Sequence, residues 1–286
     1  MPFRSLRLGG VELAVGVEDG LVGRLRETAL WKFRDKRSLP TPSSLAKSGG
    51  QRSVLERIAP IDWYHTIDVG DGVVTPGIFD HRPYLRHYPI PERLDGMRVL
   101  DVATFDGFFA FEFERRGAAE VVAIDVETVG GLDLPPATRA AMRPEELALK
   151  TGTGFQLASE LRKSRVRRVI CSVYDLSPER LGKFDLVMCG SLLLHLRDPL
   201  RALQAIRSVT GGTGIFAEVY DPGLPLRCLE YKGGTKLCVW WSFSHDCLNA
   251  LIDEAGYSRT ETLDTFGLTN IRESRPIWHA AFRVTP

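Results

Sequence analysis

The chain has 286 residues, of which 44% are apolar and 26% are charged, the composition of a soluble globular enzyme with one large domain and an appended piece. Its apolar runs are too short to cross a bilayer. The first residues, MPFRSLRLGG, lack the apolar core of a signal peptide, so we expect a cytoplasmic protein. A formal net charge of +1 argues against a strong phosphate-binding surface, and nucleic acid is therefore not the expected partner.

Residues 1–60 are predicted to form an N-terminal extension outside the main domain. Short alternating runs around Gly9 and Gly10 indicate a β-hairpin. Leucines near helical spacing predict a helix over residues 18–37. The stretch PTPSSLAKSGGQRS is too rich in Pro, Ser and Gly to bury much surface, so we interpret it as a flexible connector. The helix and the connector are candidates for a lid, or for exchange between the subunits of a homo-oligomer.

From residue 97 onward, short apolar strands alternate with helical segments. The predicted strands are 97–102, 121–126, 166–173, 184–190 and 214–220, and the predicted helices are 106–116, 154–163, 198–209 and 245–255. Buried strands joined by crossover helices predict an α/β fold with a doubly wound, Rossmann-like, mostly parallel sheet. Two alternating runs near the end of the chain, YSRTETLDTF and IWHAAFRVT, predict a terminal antiparallel hairpin at the sheet edge.

The first core strand leads into the loop DVATFDG, where a dinucleotide-binding protein has its glycine-rich turn. Ala103 and Phe105 stand where two glycines would be expected, and Asp106 adds negative charge where the helix begins. Both features oppose a pyrophosphate, which needs close backbone approach and an uncharged helix start. Asp125, which lies 24 residues after Asp101, is placed to bind ribose hydroxyls. This loop suits S-adenosylmethionine, which has a sulfonium and an ammonium but no phosphate.

Several motifs act together as a family pattern: WYHTIDVGDGVVTPGIFD, VLDVATFDGFFAFEFERRGA, VVAIDV, SVYDLSP, FDLVMCGSLLLHLRDP and FAEVYDP. The chain resembles the class I S-adenosylmethionine-dependent methyltransferases over roughly residues 60–286. Within them it is most similar to the branch of the tRNA wobble-uridine carboxymethyltransferases and many actinobacterial small-molecule methyltransferases. The resemblance implies a methyltransferase core over residues 97–286 and S-adenosylmethionine as cofactor. It also implies a cap segment, residues 61–96, whose TPGIFDHRP run closes over the cofactor cleft.

The resemblance also implies a role for each residue at the strand ends. The implied cofactor-binding residues are Asp101, Ala103, Thr104, Phe105 and Gly107 at the methionine portion, Asp125 and Val126 at the ribose, Val173 and Tyr174 at the adenine, and Cys189 and Gly190 below the methyl group. In the carboxymethylating enzymes a tyrosine precedes the histidine after the fourth strand. Here that residue is Leu194, which cannot bind a carboxylate, so we expect a plain methyl donor.

His195 and Glu218 are the candidate catalytic residues, because they follow or end strands at the edge where the acceptor should lie. The alternative for both is a structural role, since the L-x-H-x-x-D-P pattern often carries a structural histidine. The acceptor pocket is expected between the cap segment and an insertion at about residues 221–244. Its candidate substrate-binding residues are Trp63, His65, Tyr220, Trp241 and His245. No metal site is expected, since the histidines and acids lack ligand spacing.

We therefore predict transfer of a methyl group from S-adenosylmethionine to a small-molecule acceptor, in secondary (natural-product) metabolism. Two alternatives remain open. One is a tRNA wobble-uridine methyltransferase, by analogy with the family alone. The other is a non-catalytic S-adenosylmethionine-binding or assembly protein, which would bury no acceptor pocket.

Overall fold

The computed structural model describes residues 4–8, 11–15, 49–233, 238–270 and 276–286. Its strands are β1 (Arg4–Leu8), β2 (Val11–Val15), β3 (Arg98–Val102), β4 (Glu120–Asp125), β5 (Arg167–Ile170), β6 (Phe184–Gly190), β7 (Thr210–Val219), β8 (Leu229–Tyr231), β9 (Trp241–Phe243), β10 (Arg259–Thr269) and β11 (Pro276–Thr285). Its α-helices are α1 (Gly49–Ile58), α2 (Phe108–Arg115), α3 (Pro136–Ala141), α4 (Pro144–Leu147), α5 (Thr153–Arg162), α6 (Pro178–Leu181), α7 (Pro199–Val209) and α8 (His245–Glu254). The 3₁₀ helices are Arg82–His87, Val129–Gly131, Val173–Asp175 and Leu193–His195. Within these ranges, no helix combines the length and the apolar character that crossing a membrane requires.

Seven strands form one sheet in the order β10-β11-β7-β6-β3-β4-β5. The five strands from β7 to β5 in this order run parallel, and β11 runs antiparallel to both β7 and β10. The predicted Rossmann-like, doubly wound sheet with a terminal antiparallel hairpin is thus confirmed. The chain order reverses between β3 and β6, so the carboxyl ends of these two strands flank the topological switch point, where ligands bind in open α/β sheets.

Alternate residues of the central strands face opposite sides of the sheet and pack into two separate cores. On β3, Val99 belongs to the core that α1, α2 and α5 cover, and Leu100 belongs to the core that α7 and α8 cover. Because helices lie on both faces, the central strands are apolar throughout rather than alternating. This arrangement leaves the carboxyl ends of the strands as the polar edge of the sheet.

The N-terminal predictions have mixed outcomes. Antiparallel pairing of β1 with β2 confirms the predicted hairpin, whereas the helix predicted over residues 18–37 lies outside the described residues. The prediction of a flexible connector is wrong for the C-terminal part of the stretch PTPSSLAKSGGQRS, because α1 begins there, at Gly49. The apolar residues of α1, among them the buried Ile58, pack on the core, and this tertiary packing stabilises a helix that the local composition disfavours.

The loop after β3 keeps the backbone shape of a glycine-rich turn without its glycines. Ala103 and Phe105 both have left-handed backbones, with φ of 58° and 47°. Gly107, with φ of 94°, cannot be replaced so readily, since a Cβ there would lie 2.7 Å from the rings of Phe111 and Phe155. A left-handed non-glycine residue costs about 1–2 kcal/mol, so the loop holds strain beside the strand ends.

Replacing Ala103 by glycine should therefore stabilise the protein. We expect Ala103→Gly to raise the free energy of unfolding by about 0.5–1 kcal/mol, because the released left-handed strain exceeds the added chain entropy. The control, Ala250→Gly in the middle of α8, makes the same chemical change in a right-handed helix and should cost about 1 kcal/mol. Urea unfolding of both variants measures the difference. Equal destabilisation by the two changes would contradict the strained loop.

Candidate active site

A cavity of about 200 Å³ opens at the carboxyl ends of β3 and β6, beside the switch point. The loop after β3, the ends of β4 and β6, the cap segment and the insertion all contribute to its walls. The residues named from the sequence that line it are His65, Asp101, Ala103, Thr104, Phe105, Asp125, Gly190 and His195. Predicted cofactor, catalytic and substrate residues are therefore brought together in one place.

Other lining residues escaped the sequence analysis. They are Tyr64, His81, Tyr88, Val102, Phe109, Leu132, Asp133, Leu134, Ser191, Leu192, Leu196, Ala217 and Cys238. Three of them, Tyr64, His81 and Tyr88, belong to the cap segment, far from the strand-end motifs. The aromatic and histidine residues in WYH, which contains Tyr64, and in FDHRPYLRHYP, which contains His81 and Tyr88, were the sequence features that could have indicated them.

The charged side chains on the cavity wall are all acidic, and no lysine or arginine of the described residues lines it. Oδ2 of Asp101 and Oγ1 of Thr104 are buried without a hydrogen-bond partner. Burial raises the pKa of Asp101 to about 7 and the nearby Asp125 acts in the same direction, whereas the Thr104 hydroxyl and the Ala110 N–H lie close enough to lower it. Because a buried polar atom without a partner is costly, this wall favours a ligand that brings positive charge or hydrogen-bond donors.

Asp125, at the end of β4, holds the strained loop in place. Its Oδ2 accepts the backbone N–H of Phe105 at 2.9 Å, and its Oδ1 accepts that of Val126 at 2.7 Å. Burial raises the pKa of Asp125, while these two N–H groups and the positive charge of Arg168 lower it. A carboxylate oxygen has two acceptor positions, so Asp125 can still accept hydrogen bonds from ligand hydroxyls.

Asp106 connects the loop after β3 to the cap segment. The sequence analysis considered only its negative charge and did not predict this role. Its buried Oδ2 accepts the backbone N–H groups of Tyr64 at 2.7 Å and His65 at 3.0 Å. Gly154 leaves the space that this carboxylate occupies, since a Cβ there would lie 2.4 Å from Oδ1. Asp106 therefore positions two of the four cap residues that line the cavity, Tyr64 and His65.

His195 has a defined protonation state. Its Nδ1 lies 2.7 Å from the carbonyl oxygen of Cys238 in the insertion. A carbonyl can only accept, so Nδ1 carries the proton and Nε2 keeps its lone pair. Burial lowers the pKa of His195, although the bond to Cys238 acts in the opposite direction. The imidazole is thus neutral, with an unprotonated Nε2, the form that a general base requires.

Glu218 does not line the cavity. Its side chain instead stabilises the loop that carries His195. Its Oε2 accepts the backbone N–H groups of Leu192 at 3.0 Å and Leu193 at 3.1 Å, and its Oε1 accepts the thiol of Cys189 at 3.4 Å. Burial raises the pKa of Glu218 to about 7. These contacts give Glu218 the structural role that the sequence left open beside the catalytic one.

Further residues predicted for the site also lie off the cavity wall. They are Gly107, Val126, Val173, Tyr174 and Cys189 of the cofactor set, and Trp63, Tyr220, Trp241 and His245 of the substrate set. The indole N–H of Trp63 donates to the Ile58 carbonyl, and that of Trp241 donates to the Leu196 carbonyl. These two indoles thus tie the cap segment and the insertion to neighbouring backbone.

No protein-family model matches the chain. It is 34% identical over 124 residues to a ubiquinone biosynthesis O-methyltransferase of Paracidovorax citrulli, a match covering 43% of this chain and 43% of that protein. It is 24% identical over 152 residues to a tRNA U34 carboxymethyltransferase of Campylobacter hominis, covering 53% of this chain and 43% of that protein. The matched region therefore spans less than half the length of either relative.

Among solved structures, the chain is similar to the N-terminal domain of EvdMO1, crystallised in the presence of S-adenosylhomocysteine (SAH) and D-fucose. The TM-score is 0.53 at 16% identity, covering 83% of this chain and 97% of that domain. A structure of EvdMO1 gives a TM-score of 0.51 at 18% identity, covering 84% of this chain and 49% of the other. The likeness is one of fold. The chain has the class I S-adenosylmethionine-dependent methyltransferase fold, and the resemblance predicted from its motifs is confirmed.

Shortening Glu218 tests its structural role. Glu218→Ala leaves two buried backbone N–H groups without an acceptor, so it should lower the free energy of unfolding by about 3 kcal/mol at pH 8. Glu218→Gln keeps one carbonyl oxygen and should cost about 1 kcal/mol. The exposed control Glu56→Ala should change stability by less than about 0.5 kcal/mol. A Glu218→Ala protein as stable as the control would contradict the bracing of the loop.

Proposed function

We propose that the protein transfers a methyl group from S-adenosylmethionine to a small-molecule acceptor. The observation that carries this proposal is the cavity at the switch point, whose charged lining residues are all acidic. The ubiquinone biosynthesis O-methyltransferase, 34% identical over 124 residues, supports methyl transfer to a small molecule. Secondary metabolism and a cytoplasmic location stay our predictions from the sequence.

The residues present fit S-adenosylmethionine. The unpartnered Oδ2 of Asp101 and Oγ1 of Thr104 suit the ligand's positively charged ammonium group. Asp125, whose oxygens retain acceptor capacity, suits the ribose hydroxyls. A dinucleotide fits poorly, because its pyrophosphate would meet Asp101, Asp125 and Asp133 on the wall without a compensating cation.

When bound, S-adenosylmethionine supplies an electrophilic methyl group. The protein's own contribution is to orient the acceptor, exclude water and receive a proton. The neutral His195, with Nδ1–H held by the Cys238 carbonyl, offers Nε2 to the proton of an acceptor hydroxyl. The walls from the cap segment and the insertion limit the access of water. Orientation within this cavity supplies the larger part of the rate enhancement.

The alternatives fit less well. A carboxymethyl donor would need a group to bind its extra carboxylate, and Leu194 is apolar and packs in the core. A tRNA substrate would need basic residues beside the cavity, and no lysine or arginine of the described residues lines it. The cavity and the neutral His195 speak against a binding protein without an acceptor site.

The pH dependence of cofactor binding tests the role of Asp101. Its carboxyl must lose a proton before it can pair with an ammonium group, so affinity should rise with pH through its pKa of about 7. We expect SAH to bind about tenfold more tightly at pH 8 than at pH 6, as measured by calorimetry. Asp101→Asn should remove this rise, Asp125→Ala should weaken binding severely at every pH, and the exposed Asp253→Asn should change neither. An unchanged pH profile in Asp101→Asn would exclude Asp101 as the ammonium partner.

Transfer of labelled methyl groups tests the activity. The protein is incubated with methyl-labelled S-adenosylmethionine and either total tRNA or a small-molecule extract of the source cell. We expect label in the small-molecule pool, with the rate reduced about 10²-fold or more in His195→Phe, which lacks the proton-accepting nitrogen. Label in tRNA alone would overturn the small-molecule proposal. Label in neither pool, with SAH bound tightly, would favour the non-catalytic alternative.

A further inference from the structure

Four mutually contacting rings line part of the cavity. We call this set of rings the ring wall, and it consists of His65, His81 and Tyr88 from the cap segment and Phe109 from α2. The ring centroids of His65 and His81 are 5.3 Å apart, those of His81 and Phe109 are 5.3 Å apart, and those of Tyr88 and Phe109 are 4.9 Å apart. Neighbouring rings meet at interplanar angles of 58°, 61° and 62°, so the wall presents ring faces and ring edges on which a further aromatic ring can pack.

The ring wall carries no charge. Burial lowers the pKa of His65 to about 3. The pKa of His81 also lies well below its ordinary value, because of burial and the neighbouring His65 and His279. Burial raises the pKa of Tyr88, so its hydroxyl keeps its proton. At neutral pH the wall therefore consists of uncharged rings.

The ring wall nevertheless contains polar atoms. Nδ1 of His81 and the hydroxyl of Tyr88 are hydrogen-bonded at 2.8 Å. Nδ1 of His65 is buried and has no hydrogen-bond partner among the described residues. An unpaired nitrogen in a buried site favours a ligand that carries a polar substituent on an otherwise apolar body.

The rest of the cavity disfavours a negatively charged acceptor. No lysine or arginine of the described residues lines it, and Asp101 and Asp125 lie on the cofactor side. An acceptor carboxylate or phosphate would lose its hydration without gaining a cation, and it would be repelled by these two groups. The neutral His65 and His81 offer it no ion pair.

We propose that the ring wall binds the acceptor, and that the acceptor is an uncharged aromatic ring bearing a hydroxyl group, a phenol. This inference rests on the proposed methyltransferase function and names the substrate class for the same cavity. The acceptor ring packs on His81 and Phe109. Its hydroxyl lies in the cavity that His195 lines, where Nε2 can take the proton.

Two probe phenols that differ by one carboxylate group test the charge requirement. SAH is first bound to the full chain and measured by calorimetry, and catechol or 3,4-dihydroxybenzoate is then titrated into the SAH-loaded protein. We expect catechol to bind at least tenfold more tightly than 3,4-dihydroxybenzoate, because only the latter carries a carboxylate. Equal or tighter binding of the carboxylated probe would overturn the proposal, and so would binding of neither phenol.

Variants of the ring wall test where the acceptor binds. His81→Leu removes one of the two rings on which the acceptor ring packs, and it should weaken catechol binding about tenfold while SAH affinity changes less than about twofold. The matched control is His87→Leu in the same segment, where the native ring stacks on Phe266 and does not line the cavity, and it should change neither affinity. If His81→Leu fails to fold, Phe109→Leu, which removes the other ring, takes its place with the same expectation.

The outcomes separate this inference from the proposed function. Catechol affinity that is unchanged in both His81→Leu and Phe109→Leu, with SAH still bound, would overturn the ring wall as the acceptor site but leave methyl transfer standing. Failure of the unaltered protein to bind SAH would instead overturn the proposed function. Methyl label in catechol, lost in the ring-wall variant and retained in His87→Leu, would support both.

Discussion

The hydrogen bond from the Phe105 N–H to the Asp125 carboxylate is the interaction on which the cavity depends. It joins the end of β4 to the loop after β3 and holds Phe105 in a left-handed conformation. The next residue, Asp106, then receives the backbone N–H groups of Tyr64 and His65. The end of the sheet, the strained loop and the cap segment are thus one bonded unit, and a change in any part alters the cavity wall.

Burial acts differently on the two sides of the cavity, one acidic and the other uncharged. The acids on the sheet side, such as Asp101, are desolvated, and they favour a ligand that brings positive charge or hydrogen-bond donors. The histidines on the cap side, such as His65 and His81, are desolvated and therefore neutral. The same physical effect raises the pKa of an acid and lowers that of a base. A cofactor with positive charge and an acceptor without charge fit this division.

The strand-end residues illustrate how far the sequence leads. Asp101 and Asp125 follow apolar strands, and parallel strands bring their carboxyl ends to one edge, so the motif positions predicted their proximity. Glu218 ends a strand as well, yet its side chain turns to the N–H groups of Leu192 and Leu193 rather than to the cavity. Side-chain direction at a strand end is decided by the loop beside it, which the sequence does not specify.

The sequence by itself determined the fold class and predicted a candidate site at the strand ends, because both follow from hydrophobic periodicity and from residue types at strand ends. Only the tertiary structure decided that Ala103 and Phe105 keep a glycine-like backbone, since φ depends on the bonds that the folded loop makes. It also decided that His81 and Tyr88 form a wall with Phe109. These residues are separated in the chain, and only packing of the cap segment on α2 brings them together.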